Sequence, residues 1–209
     1  MRKEVGSKIS EIWLLGDSNP KNWQDVLETP FDPRHPAVHS IWTPVLDEIQ
    51  DRVFRACRRR IDTSSIYMRN AVEDPTDKPK PQSIEWQAGV EAEVQAFRKI
   101  LFEHCPRMLF SFGAFSFEFA RRALQEPSQN YSHWGTKRLG QESRWRIAAF
   151  DMGTVNLLPL LHVSIARGRF IKGHEYFCEQ EGANYFEFVG KEIADRLIAQ
   201  QDELQVWIE

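Results

Sequence analysis

The sequence predicts an α/β fold: a three-layer sandwich whose central, mostly parallel sheet of four to five strands is flanked by helices. Three observations predict it. Short apolar runs at Ile12–Leu15 and Met108–Phe112 stop at Gly-containing turns, as buried strands do. Between and after them lie stretches with apolar residues at i, i+3, i+4 and i+7, the spacing of helices with one apolar face. Strands that alternate with helices need crossover connections, which leave parallel strands covered on both faces. The 209 residues suffice for one domain of this kind, expected to span residues 1–209.

The elements follow in order. The first strand, IWLL, runs into Gly16-Asp17-Ser18-Asn19-Pro20, and a loop with Pro30, Pro33 and Pro36 follows. Trp42, Val45, Leu46, Ile49, Val53 and Ala56 mark an amphipathic helix, with Thr43 before Pro44 as N-cap and first turn. Thr63 to Met68 reads as the next strand, ending near Asn70, and Asp74 to Pro81 as an exposed linker. A second helix is expected from about Ile84 to His104, with Trp86, Val90, Val94, Phe97 and Leu101 on one face and Pro106 blocking its extension. After Met108–Phe112, Gly113 turns into a third helix reaching about Leu124. Its Phe115, Phe117 and Phe119 alternate, so they cannot share one helical face. Gln125 to Gly140 reads as a polar loop, and Arg144–Phe150 and Val155–Leu161 as two further strands. The last helix starts near Tyr185 and carries Phe186, Val189, Ile193 and Leu197.

Composition narrows the function. Mean hydropathy is −0.50, and no run of about 18 apolar residues is present to cross a membrane. The N-terminus lacks the apolar stretch of a signal peptide. Cys57, Cys105 and Cys178 are odd in number and widely separated, which fits neither a disulfide framework nor a metal site and points to a reducing cytoplasm. His35 and His39 flank Pro36 with no third ligand nearby, so no metal is expected. The net charge of −3 gives no global sign of nucleic-acid binding. Locally, Lys137, Arg138, Arg144, Arg146, Arg167, Arg169 and Lys172 are interleaved with Trp134, Trp145 and Phe170, a pattern suited to gripping a nucleic-acid strand. Arg58 to Arg60 close a helix, where cations suit the dipole.

Two strand-end loops carry unusual chemistry: GDSNP after the first strand and HVSIARGRF, from His162 to Phe170, after the last. Their order resembles the uracil-DNA glycosylase superfamily, which has a Gly-x-Asp-Pro or Gly-x-Asn-Pro loop first and a His-Pro-Ser loop near the end. HSIWTPVLDEI, IYMRNAV, MLFSFGAFSFEFARRAL and YFEFVGKEIADRL stand where that family has its early helix, its strand ending in a base-reading Asn, its strand–Gly–helix unit and its closing helix. The similarity runs from about Ile12 to Leu197. The chain departs from the pattern in three ways. GDSNP has one residue more between Gly and Pro, Val163 replaces the Pro of the last loop, and the aromatic residue that rejects thymine has no clear counterpart.

The resemblance implies a monofunctional DNA base glycosylase working without metal or organic cofactor. It implies a single- or double-stranded DNA partner and no membrane, and the chain is expected to be monomeric. Such an enzyme must take the base out of the stack, stabilise charge on the leaving base and bring water to the cationic sugar. By resemblance His162 is the charge-stabilising donor, and Asp17 or Asn19 orients the water. Asn70 reads the base edge, and Phe31 or else Trp42 stacks on it. Ser164, Arg167 and Arg169 grip phosphates, joined by Ser40 at a helix N-terminus. Asp17 and Asn19 equally suit Asx turns, and Trp42 suits the core. Two other functions stay open: a catalytically inactive DNA- or base-binding module of the same fold, and a hydrolase or transferase of free nucleosides or nucleotides. The basic stretch disfavours the last.

Overall fold

In the computed structural model, which describes residues 4–18, 43–166 and 171–208, the alternating elements close into one five-stranded sheet of order β1-β3-β2-β4-β5. β1 (Glu4–Val5) pairs antiparallel with β3 (Tyr67–Asn70), and it had no signal in the sequence. β3, β2 (Ile12–Gly16), β4 (Met108–Phe112) and β5 (Asn156–Leu160) are mutually parallel. β2 pairs with both β3 and β4, so successive crossovers leave it in opposite directions and open a crevice beyond its carboxyl end. Pro159, which has no N–H to give, lies in β5, where a strand partners it on one side only.

Alternation along the strands feeds two helical layers. Ile12, Leu14, Phe110 and Leu160 face α1 (Thr43–Cys57) and α7 (Tyr185–Ala199) through Val45, Ile49, Ile193 and Leu197, around an apolar cavity of about 40 Å³. The two helices approach closely because position 190 is Gly: a Cβ there would lie 2.4 Å from the Cβ of Glu48. On the opposite face Trp13 packs on Phe97 of α2 (Ala88–His104), and Phe97 on Phe119 of α3 (Ala114–Ala123). The architecture is therefore the predicted α/β sandwich.

Every residue of α3 from Phe115 to Ala123 is buried. That accounts for the alternating phenylalanines, each of which meets a different neighbour: Phe115 packs on Trp86 and Tyr131, Phe117 on Trp134, Phe119 on Phe97. The same helix buries Glu118 completely. Its two carboxylate oxygens accept from Arg122 Nε (3.1 Å) and the Gln129 amide (2.7 Å), and from Arg121 (2.8 Å) and Trp134 Nε1 (2.8 Å). A buried carboxylate persists only when its acceptors are filled in this way, and this one ties the 125–135 segment to the core.

Arg144–Phe150 is not a strand. Residues 136–148 form α4 (Thr136–Ala148), whose buried residues Leu139, Gly140, Ser143 and Ile147 recur at helical spacing. The Arg-Trp-Arg-Ile alternation misled because Arg146 is itself partly buried, held by Glu142 one turn back (3.1 Å) and by Glu126 (2.7 Å). The expected Gln125–Gly140 loop is correspondingly shorter. α2 begins at Ala88 rather than Ile84, although Trp86 ahead of it is still buried. The expected Asp74–Pro81 linker contains a 3₁₀ turn, Pro75–Asp77, and the loop after β5 is followed by two short helices, α5 (Val163–Ala166) and α6 (Ile171–Cys178). Among the described residues no helix is long and apolar enough to cross a membrane.

Candidate functional site

The carboxyl ends of β2, β3, β4 and β5 bring together Asp17, Asn70, Gly113 and His162. Parallel registration places Gly16 opposite Asn70, and the pairing continues past the strand ends: Ala71 N–H donates to the Gly16 carbonyl (2.8 Å) and Val72 N–H to that of Asp17 (3.1 Å). Gly16 is required by its neighbour, because a Cβ would lie 2.4 Å from Asn70 Oδ1.

Asp17 is 13% exposed at its side chain. Its Oδ1 accepts the Ser116 amide (3.2 Å), capping a first-turn N–H of α3 that has no partner within the helix. Its Oδ2 receives Lys78 Nζ at 3.3 Å and lies 3.7 Å from His162 Nε2. The negative charge is felt further off: burial first, and then the Asp17 carboxylate, raise the pKa of the Tyr131 hydroxyl above its ordinary value.

His162 follows β5 and starts α5, its carbonyl accepting from the amides of Ile165 (2.9 Å) and Ala166 (3.0 Å). The Ser164 amide donates to Nδ1 (3.2 Å), and the Ser164 hydroxyl lies 2.8 Å from the same nitrogen. An amide can only donate, so Nδ1 is an acceptor and the proton of the neutral ring sits on Nε2, the nitrogen nearest Asp17. The side chain rests on Gly113 at its Cβ. The backbone just before it is anchored separately: the hydroxyl of fully buried Tyr185 accepts the Leu161 N–H (3.0 Å). Ser164 therefore orients His162, while its exposed side chain remains at the surface.

Lys78 had no functional signal. It stands between Asp77 and Pro79 in a segment whose composition reads as a linker, and only the fold carries that segment across the crevice to Asp17. Of the other expected site residues, Asn19, Phe31, Ser40, Arg167 and Arg169 lie outside the described residues. Two members of the basic stretch are internally paired: Arg144 with Glu179 (2.7 Å) and Arg146 with Glu126 and Glu142. Trp134 is buried, whereas Trp145 is 64% exposed.

The arrangement supplies a hydrogen-bond donor of fixed tautomer, a partly buried carboxylate, an amide side chain and an ammonium group at one crevice. Compared with known proteins, the chain matches no family model, and no curated protein is significantly similar to it in sequence.

Proposed function

We propose that the protein is a DNA base glycosylase that hydrolyses the N-glycosidic bond of a single flipped-out uracil-like or modified base. The observation that carries this reading is the opposition of His162 Nε2 and Asp17 Oδ2, 3.7 Å apart at the ends of β5 and β2. In this reading the imidazole N–H donates to an oxygen of the leaving base while the carboxylate meets the sugar carbon beside it. His162 stabilises charge that develops on the base. Asp17 orients the attacking water and offsets the positive sugar. Asn70, one strand over, reads the base edge. The DNA partner, the hydrolytic chemistry and the repair setting all belong to this reading.

The contact between Lys78 and Asp17 favours a second reading, a base- or DNA-binding module without catalysis, because the ammonium competes for the carboxylate that would hold water. One experiment separates them. DNA carrying uracil, other deaminated bases and modified pyrimidines is incubated with the protein and then treated with alkali. The glycosylase reading expects strand breaks at one base, reduced about 10²- to 10³-fold by His162→Ala. Intact DNA across the panel, with salt-dependent binding retained, establishes the binding module instead.

A further inference from the structure

We propose that the site has a second, covalent activity: the Lys78 amine attacks the aldehyde carbon of an abasic deoxyribose and cleaves the strand by β-elimination, with Asp17 as proton acceptor. The inference rests on the reading of the crevice as a place for a flipped-out nucleotide, and goes beyond the purely hydrolytic chemistry expected there.

The geometry distinguishes Lys78 from a solvated linker lysine. Its Nζ lies 3.3 Å from the Asp17 oxygen that also faces His162, and its side chain is only 28% exposed. The backbone around it is held on both sides. Asp74 and Asp77 cap the preceding 3₁₀ turn reciprocally. The carbonyl of buried Pro79 accepts the Tyr131 hydroxyl (3.0 Å), and that of Pro81 accepts the Ser132 amide (3.0 Å). Nζ also lies 6.0 Å from the centre of the Phe115 ring, part of the aromatic wall formed with Tyr131 and Trp86. An amine held beside a carboxylate and shielded from water on one side is placed to act as a nucleophile once the carboxylate takes its proton.

The steps balance without any further reagent. Asp17 accepts a proton from the Lys78 ammonium, and the nitrogen lone pair forms the N–C1′ bond as the aldehyde C=O opens to a hydroxyl. That hydroxyl takes the proton back from Asp17 and leaves as water, giving an iminium. The iminium acidifies C2′: Asp17 removes a C2′ proton, whose electron pair forms the C1′=C2′ bond of an enamine as the C=N pair moves onto nitrogen. The nitrogen pair then re-forms the iminium, C2′=C3′ forms in place of C1′=C2′, the C3′–O bond breaks, and the departing phosphate takes the proton from Asp17. Water then hydrolyses the imine, returning free Lys78 and an unsaturated aldehyde.

The test uses oligonucleotides with a pre-formed abasic site, so that it does not depend on base release. Wild-type protein is mixed with this DNA and borohydride, which reduces an imine to a stable amine. The expected result is a covalent protein–DNA adduct whose attachment maps to Lys78 by peptide mass spectrometry. Lys78→Arg, which keeps the positive charge but is not nucleophilic, is expected to lower adduct yield at least 10-fold at saturating protein, with an unchanged thermal unfolding midpoint. Absence of an adduct with the wild-type protein, or an adduct undiminished in Lys78→Arg, overturns the proposal. Base release from the modified-base panel without an adduct overturns the lyase alone. An adduct without base release overturns the glycosylase reading and leaves the lyase standing.

Discussion

Gly113 and the ring of His162 are in direct contact: a Cβ built on Gly113 would lie 2.8 Å from the His162 Cβ and 3.3 Å from its Cδ2. Gly113 also has φ +95° and ψ 175°, a conformation that only glycine adopts readily. One residue thus turns β4 into α3 and leaves room for the imidazole. Gly113→Ala is expected to cost about 1–3 kcal/mol of stability from backbone strain. It should also displace His162, so base release should fall by more than the folded fraction does. Urea unfolding alongside single-turnover assays measures both.

Tyr185 anchors the backbone one residue before that ring, at Leu161. Burial raises the pKa of its hydroxyl far above the usual phenol value, so it stays protonated at physiological pH while accepting the Leu161 amide. Tyr185→Phe leaves that buried N–H without its acceptor, at an expected cost of about 1–3 kcal/mol. Hydrogen exchange at Leu161 should speed up. Exchange as slow as in the wild type would show that the Tyr185 contact does not hold this strand end.

Asp17 has a structural duty and a proposed chemical one, and two substitutions separate them. Asp17→Asn keeps an oxygen for the Ser116 amide but loses the charge facing Lys78 and His162. Asp17→Ala loses both and is expected to cost about 0.5–2 kcal/mol more than a retained cap. Base release should fall about 10²- to 10⁴-fold in both. Near-normal turnover in Asp17→Asn would remove the carboxylate from the mechanism.

Glu126 links α3 to α4, accepting from Arg121 (2.8 Å) and Arg146 (2.7 Å). Burial acts to raise its carboxyl, but the hydrogen bonds and charges of Arg146 and Arg121 outweigh it and hold the group below its ordinary 4.5. A carboxyl depressed in the folded state contributes stability that is fully present above the unfolded value and is lost as pH falls through the folded one. The stability difference between the wild type and Glu126→Gln should therefore be constant near neutrality and shrink on acidification below 4.5. Chemical denaturation across that range reads it directly.

The sequence by itself determined the parallel sheet and most of its cover. IWLL and MLFSF are too apolar for anything but buried strands, and the 3.6-residue spacing of Val45, Ile49 and Val53, or of Val189, Ile193 and Leu197, admits one helical face. It also marked Asp17, Asn70 and His162, because polar residues that directly follow buried strands must emerge where the strands end. Tertiary structure decided what local pattern leaves open. Arg146 became helical and partly buried because Glu126 and Glu142 neutralise it, and α3 is buried on every side because α2 and the 125–135 segment enclose it. Lys78 reaches Asp17 across 61 positions of chain. A local pattern reports which face of an element avoids water, whereas the pairing of distant charges depends on how the crossovers place strand ends side by side.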